Sequence, residues 1–188
     1  MVAGSVEGWR ARAFHEAGHA VAAHHLGVAF RSVALRHDEP SLACVLIDRA
    51  LPRFDDMELS YAPVEAVPAR LRRRLEAHLM VSCAGPAAEA LHSGVAPCHC
   101  AGHEEDRVDA LLDLATKSPA EREHFLGWLQ ARTRTMLECE VTWAEVTAVA
   151  EALLARGVLL RREVTEVAAD GVDRWERSRL KRPVVIEP

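Results

Sequence analysis

Residues 13–27 read AFHEAGHAVAAHHLG and contain the pattern H-E-x-x-H at positions 15–19. The surrounding stretch 9–26 is rich in alanine, contains no proline and is followed by Gly27, so it predicts a helix. Residues four apart in a helix lie on one face, with Cβ atoms about 5–6 Å apart. The two imidazoles of the pattern are therefore expected to point toward the same place.

Two histidines at this spacing are suited to hold one zinc ion, each at about 2.0–2.1 Å. Glu16 follows His15 by about 100° around the helix and can reach a water on the metal without being a ligand itself. Zinc lowers the pKa of such a water toward about 7, and a carboxylate can then accept its proton. The pattern predicts a hydrolase with His15 and His19 as zinc ligands and Glu16 as the catalytic base.

A catalytic zinc site usually has a third protein ligand, for which the sequence offers three candidates. His25 stands where the longer pattern H-E-x-x-H-x-x-G-x-x-H, the metzincin pattern, has its third histidine. However, Ala22 replaces the glycine of that pattern, and a helix continuing to Gly27 turns His25 away. Glu89 lies on a second predicted helix, where we expect it to orient a metal-binding histidine or pair two helices. Asp106 lies in the first turn of a third predicted helix.

Three stretches of the sequence carry a family resemblance. Residues 13–27 resemble the metal-binding helix of the zinc-peptidase domain in FtsH-type proteases, which are membrane-anchored AAA+ machines. Residues 83–91, CAGPAAEAL, are similar to a second motif of that family, GGRAAEE. Residues 101–111, AGHEEDRVDAL, are similar to its later motif, TGAxxDLxxAT. The resemblance covers roughly residues 10–116.

In FtsH-type proteases the aspartate of the later motif is the third zinc ligand. The resemblance therefore implies that His15, His19 and Asp106 hold a catalytic Zn²⁺ and that Glu16 activates the attacking water. It further implies a metalloendopeptidase whose substrate is a peptide or an unstructured segment of a protein.

The sequence also departs from the FtsH pattern. It contains no G-x-x-x-x-G-K-[ST] loop, so we expect no ATPase module and an ATP-independent hydrolysis. The threonine that usually precedes Gly102 is missing, and Pro86 stands where arginine is common. Two alternatives follow from these departures. One is a catalytically silent, protease-derived module that binds a protein partner, and the other is a peptidase subunit that works with a separate ATPase.

Four metal-capable side chains lie within six residues at Cys98, His99, Cys100 and His103. Such close spacing is poor for a single tetrahedral site, so we interpret the segment as a loop with reduced thiols. One alternative is that these side chains bind a second, structural metal. Another is that one of them modulates the active-site metal. The chain has five cysteines, an odd number at irregular spacings, which argues against a disulfide framework.

The overall composition fits a folded globular protein, with 49% hydrophobic and 27% charged residues among 188. The formal net charge is −5, unlike that of a basic nucleic-acid-binding protein. No stretch approaches the roughly 20 apolar residues of a membrane span. The N-terminus lacks the pattern of a signal peptide, so we expect a cytoplasmic protein. The oligomeric state is left open.

The predicted fold is mainly α, with the H-E-x-x-H helix, a small β-hairpin and a C-terminal helical bundle. We expect one zinc-peptidase-like domain over 8–170 and a basic tail over 171–188. The hairpin strands are predicted at 30–36 and 43–48. Helices are predicted at about 65–92, interrupted at Gly85-Pro86, and at about 103–116, 119–139, 142–155 and 161–169. Capping boxes at Ser118–Glu121 and Thr142–Glu145 are expected to open two of them, and Gly157 is expected to end one.

Overall fold

A computed structural model describes residues 6–35, 69–95 and 103–180, with only the backbone described for 103–107. Within these ranges the protein is mainly helical, with one small antiparallel sheet of two strands. The helices are α1 (Val6–His25), α2 (Ala69–Ser93), α3 (His103–Ala115), α4 (Pro119–Glu138), α5 (Glu140–Arg156) and α6 (Arg161–Leu180). The strands are β1 (Ser32–Ala34) and β2 (Val158–Leu160). The mainly α fold class is confirmed.

Helix α1 lies at the centre of the fold and packs against both α2 and α5. Its small side chains make this possible, because alanines are buried on several of its faces. At Gly18, a Cβ atom would lie 2.5 Å from the carbonyl oxygen of Ala84 and 2.6 Å from the Cβ of Ala88. These small residues let α2 approach α1 closely.

Helix α2 continues without interruption through Pro86, so the predicted break at Gly85-Pro86 is wrong. A proline inside a helix lacks the N–H that would bond to the carbonyl four residues earlier, which normally favours a break. Here the helical face is buried on both sides of the proline, through Val81, Ala84 and Ala88. Packing of that face in the main core outweighs the lost hydrogen bond.

The small sheet joins two distant parts of the chain. β1 pairs with β2 in antiparallel register, with Val33 opposite Leu159, and both side chains are fully buried. The strand predicted at 43–48 lies outside the described residues. No strand was predicted at 158–160, where only four residues separate the end of α5 from α6.

The capping sequence at Ser118 opens α4 as predicted. The hydroxyl of Ser118 accepts a hydrogen bond from the backbone N–H of Glu121 at 3.2 Å. The second predicted cap is wrong, because α5 begins at Glu140 and Thr142 lies buried inside its first turn. The backbone N–H of Trp143 already bonds to the carbonyl of Cys139, so the helix starts before Thr142 can cap it.

Gly157 ends α5 as predicted, with φ at 75° and its N–H bonded to the carbonyl of Leu153. Helix α6 then runs to Leu180, well past the predicted end at 169 and into the segment predicted as a tail. Its Gly171 is buried against α5, where a Cβ would lie 2.7 Å from that of Ala148. This close contact extends the packing of α6 beyond the predicted domain boundary at 170.

A second hydrophobic cluster joins the first half of α2 to α3 and α4. Leu75 and Leu79 of α2 are buried there with Leu111 and Leu112 of α3 and Leu129 of α4. Within the described ranges, no helix is both long and apolar enough to cross a membrane.

Candidate metal centre

His15 and His19 bring their Nε2 atoms together, 3.1 Å apart, on the face of α1 that meets α2. The ring centroids are 4.8 Å apart and the rings meet edge to face. This convergence is the geometry expected of two residues four apart in a helix whose side chains adopt the same general direction. The predicted pairing of the two imidazoles is therefore present.

The opposite nitrogen of each ring is held by an oxygen from α2. His19 Nδ1 donates to the backbone carbonyl of Val81 at 2.7 Å, a contact that is buried. His15 Nδ1 donates to Oε2 of Glu89 at 2.9 Å. The contact expected of Glu89, orienting a histidine of the pattern, is present.

These partners determine which nitrogen of each neutral ring carries the proton. With both Nδ1 atoms donating, the lone pairs of both neutral rings are on the Nε2 atoms that face each other. Two such lone pairs repel at 3.1 Å unless a cation, either a proton or a metal ion, lies between them. At Zn–N distances of about 2.0–2.1 Å and tetrahedral angles, two ligand nitrogens are about 3.3–3.4 Å apart. The pair of rings therefore fits a zinc ion with a shift of a few tenths of an ångström.

Gly85 supplies the space in which the His19 ring lies. A Cβ atom on residue 85 would be 2.2 Å from Nε2 of His19 and 2.6 Å from Cε1. Any side chain at this position would displace the ring, because no real Cβ contact is that short. The glycine that was predicted to break α2 instead shapes the candidate metal centre.

Glu16 directly follows His15 in α1 and is only 1% exposed. Burial of a carboxylate costs free energy, which polar partners have to offset. The side chains of His15 and Glu89 remain 13% and 26% exposed, so this side of the pair is less deeply buried than His19.

Two of the three proposed third ligands are engaged elsewhere. His25 points to α5, where its Nε2 lies 2.5 Å from Oε2 of Glu145, and α1 stays helical as far as His25. Glu89 bonds to His15 on the nitrogen opposite Nε2. Neither contact contributes a ligand to the space between His15 and His19.

Asp106 lies in the first turn of α3, as predicted, but its side chain is outside the described part of the structure. Helix α3 packs against α2, the helix that also carries Val81, Gly85 and Glu89. Among the side chains that are described, no three or more His, Cys, Asp or Glu residues form a group suited to a metal ion. The place of Asp106 in the site stays a prediction.

The cysteine- and histidine-rich segment is also beyond what the structure describes. Residues 96–102 are outside the described ranges, and so is the side chain of His103. Of the cysteines that are described, Cys139 is an exposed free thiol. The interpretation of the 98–103 segment as a loop with reduced thiols stays a prediction.

Two contacts of this region were missed by the sequence analysis. The backbone carbonyl of Val81 has no sequence signal, because any residue type supplies one. Glu145 was interpreted as part of a helix cap, whereas its carboxylate pairs with His25 across two helices. A glycine inside a helical pattern, as at Gly85, was the one available signal for a close contact.

No protein-family model matches the chain, and no curated protein matches it either.

Proposed function

We propose that this chain is a zinc-dependent metallopeptidase-like hydrolase of the FtsH type, acting on peptides or unstructured protein segments. The observation that supports the proposal best is the pair of Nε2 atoms at 3.1 Å, with both Nδ1 atoms committed to oxygens of α2. This arrangement prepares two imidazoles to donate to one cation. In the proposal, His15, His19 and Asp106 hold the zinc ion.

The role of each remaining residue follows from its position. Zinc, when bound, supplies a Lewis acid that acidifies water and polarises a substrate carbonyl. Glu16 takes up the proton of the attacking water and passes it to the leaving amine. Glu89 and the carbonyl of Val81 hold the two rings in the tautomer and orientation that a metal requires. The low exposure of Glu16 keeps its carboxylate away from bulk water.

The test begins with the zinc content of the purified protein, measured by mass spectrometry after incubation with Zn²⁺. We expect about one zinc per chain, lost in Asp106→Ala and retained in His25→Ala. His25→Ala is the matched control, because it removes a nearby histidine that bonds to Glu145 and not to the pair. Circular dichroism of each variant verifies that the fold is intact.

Hydrolysis is then measured on quenched fluorescent peptide libraries, with Glu16→Gln beside the wild type. Loss of cleavage in Glu16→Gln with zinc retained supports the enzyme. Zinc bound without any cleavage would favour the protein-binding module instead. Cleavage that appears only with a co-purified ATPase would favour a peptidase subunit. A wild-type protein that takes up no zinc would overturn the proposal.

A further inference from the structure

Helix α2 begins with four arginines within five residues, at positions 70 and 72–74. All four are exposed. Arg72 pairs with Glu76 at 3.4 Å, whereas the described structure contains no ion pair for Arg70, Arg73 or Arg74. These three residues are called the arginine patch below.

Most other arginines with described side chains lie against a carboxylate or an aromatic ring. Carboxylates pair with Arg122, Arg134, Arg156, Arg162, Arg174 and Arg179. Aromatic rings lie beneath Arg12, Arg132 and Arg161. The arginine patch is thus a local excess of positive charge on a chain whose formal net charge is −5.

The arrangement of the patch is electrostatically unfavourable within this chain. Arg70 is three residues from Arg73 and four from Arg74, spacings that place like charges next to each other on a helix. The first turn of α2 has no acidic residue, so no carboxylate of that turn offsets the repulsion between these cations and the positive end of the helix dipole. Sites that break local rules in this way are often functional. An anionic partner would relieve both conflicts.

The patch is aligned with the candidate metal centre. Arg70 and Arg74 precede Val81 by eleven and seven residues, so all three lie on one helical face. Val81 and Gly85 on that face contact His19. At about 1.5 Å of rise per residue, the patch is about 16–22 Å along the axis from Gly85. An extended peptide covers that distance in about five to seven residues.

We propose that the arginine patch is an anchoring surface for an acidic segment of the peptide substrate, five to seven residues from the bond that the candidate metal centre cleaves. The inference rests on the proposed function for the identity of the substrate, but the binding itself needs neither zinc nor turnover. Arginine guanidinium groups pair with carboxylates in a bidentate manner, which makes a run of Glu or Asp a suitable ligand. The net negative charge of the chain disfavours a general attraction to nucleic acid or to an anionic membrane.

The experiment measures the binding of fluorescein-labelled peptides by anisotropy. One 14-residue Gly/Ser/Ala peptide carries a Glu-Glu-Glu triplet, and a matched peptide carries Gln-Gln-Gln. The full chain is used as Glu16→Gln, with and without Zn²⁺, so that no cleavage interferes. We expect the Glu peptide to bind more tightly, and its affinity to fall about tenfold in the triple variant Arg70→Gln, Arg73→Gln, Arg74→Gln. The difference between the two peptides should shrink as salt increases.

The matched control is Arg132→Gln, Arg134→Gln, Arg162→Gln, which removes the same charge from exposed positions on other helices. It should leave the affinity for the Glu peptide close to that of the parent protein. Equal losses of affinity for the Glu peptide in the two triple variants would overturn the proposal, because they would show a general effect of the charge of the protein. Binding of vesicles containing phosphatidylserine that depends on the patch, with no preference for the Glu peptide, would also overturn it. Failure of zinc uptake would overturn the proposed function and leave this binding result interpretable.

Discussion

Gly85 of α2 lies so close to His19 of α1 that the two residues leave no room for a Cβ atom between them. The missing atom would be 2.2 Å from Nε2, the nitrogen that faces His15. In an exposed helix, replacing glycine by alanine stabilises a protein by about 0.5–1 kcal/mol. Here we expect Gly85→Ala to destabilise the protein by about 1–2 kcal/mol, because overpacking outweighs the helix propensity. Zinc affinity should fall by more than about tenfold, measured with a competing chelator.

Gly127 offers the matched control for this substitution. It lies in α4, and a Cβ placed on it would meet no atom within 4 Å. Gly127→Ala should therefore stabilise the protein by about 0.5–1 kcal/mol and leave zinc affinity unchanged. Urea denaturation of both variants measures the contrast. If Gly85→Ala is also stabilising and binds zinc normally, the close contact with His19 is not a constraint on the site.

Glu89 should affect zinc affinity through His15, which it contacts at 2.9 Å. Removal of a partner that orients a metal-binding histidine typically lowers metal affinity about 10–100-fold. We expect Glu89→Ala to show a loss in this range. Glu89→Gln should lose less zinc affinity, because its amide oxygen can still accept the hydrogen bond from His15 although it carries no negative charge. Chelator competition monitored at one pH separates the two variants, and equal affinity in wild type and Glu89→Ala would refute the orienting role.

Part of this arrangement could be predicted from the sequence. The spacing of His15 and His19 was sufficient to place both rings on one side of a helix, because that result follows from helix geometry alone. The capping sequence at Ser118 and the glycine at Gly157 gave correct helix ends, since both act through local backbone groups.

Contacts between distant parts of the chain could not be predicted in this way. The strand at 158–160 depends on pairing with β1, more than 120 residues earlier in the chain. The continuity of α2 through Pro86 depends on burial against α1, which outweighs the local preference of proline. The partner of His25 could not be predicted either, because Glu145 fits a helix cap equally well by sequence.

The pair of His25 and Glu145 should make stability depend on pH. The hydrogen bond to the Glu145 carboxylate raises the pKa of His25 above its ordinary 6.5, although partial burial opposes the effect. A raised pKa means that the folded state binds the proton more tightly than the unfolded state. The stabilising contribution is therefore complete below about pH 6.5 and is lost as the pH rises through the raised value. Because the His25 side chain is 37% exposed, we expect a contribution below about 1 kcal/mol.

Urea denaturation at several pH values between 5.5 and 8.5 checks this expectation in the wild type and in His25→Asn. The variant should lose the part of the pH dependence that makes the wild type more stable at the acidic end. Glu145→Gln should behave in the same way, because it removes the charge that raises the pKa of His25. His124→Asn is the control, since His124 is exposed and its ring bonds only to a carbonyl of its own helix. An identical pH dependence in wild type and His25→Asn would exclude the pair as its source.

Cys139 should be more reactive than an ordinary exposed thiol. It precedes α5, and the nearby backbone N–H groups of Thr142 and Val141 lower its pKa below the usual 9.0. These N–H dipoles at the start of the helix favour the thiolate, which is the nucleophilic form. At pH 7.5 we expect iodoacetamide to modify Cys139 faster in the folded protein than in urea, where the helix that supplies the N–H groups is lost. Peptide-resolved mass spectrometry follows this cysteine separately from the other four. A rate that is equal or lower in the folded state would show that the start of α5 does not activate the thiol.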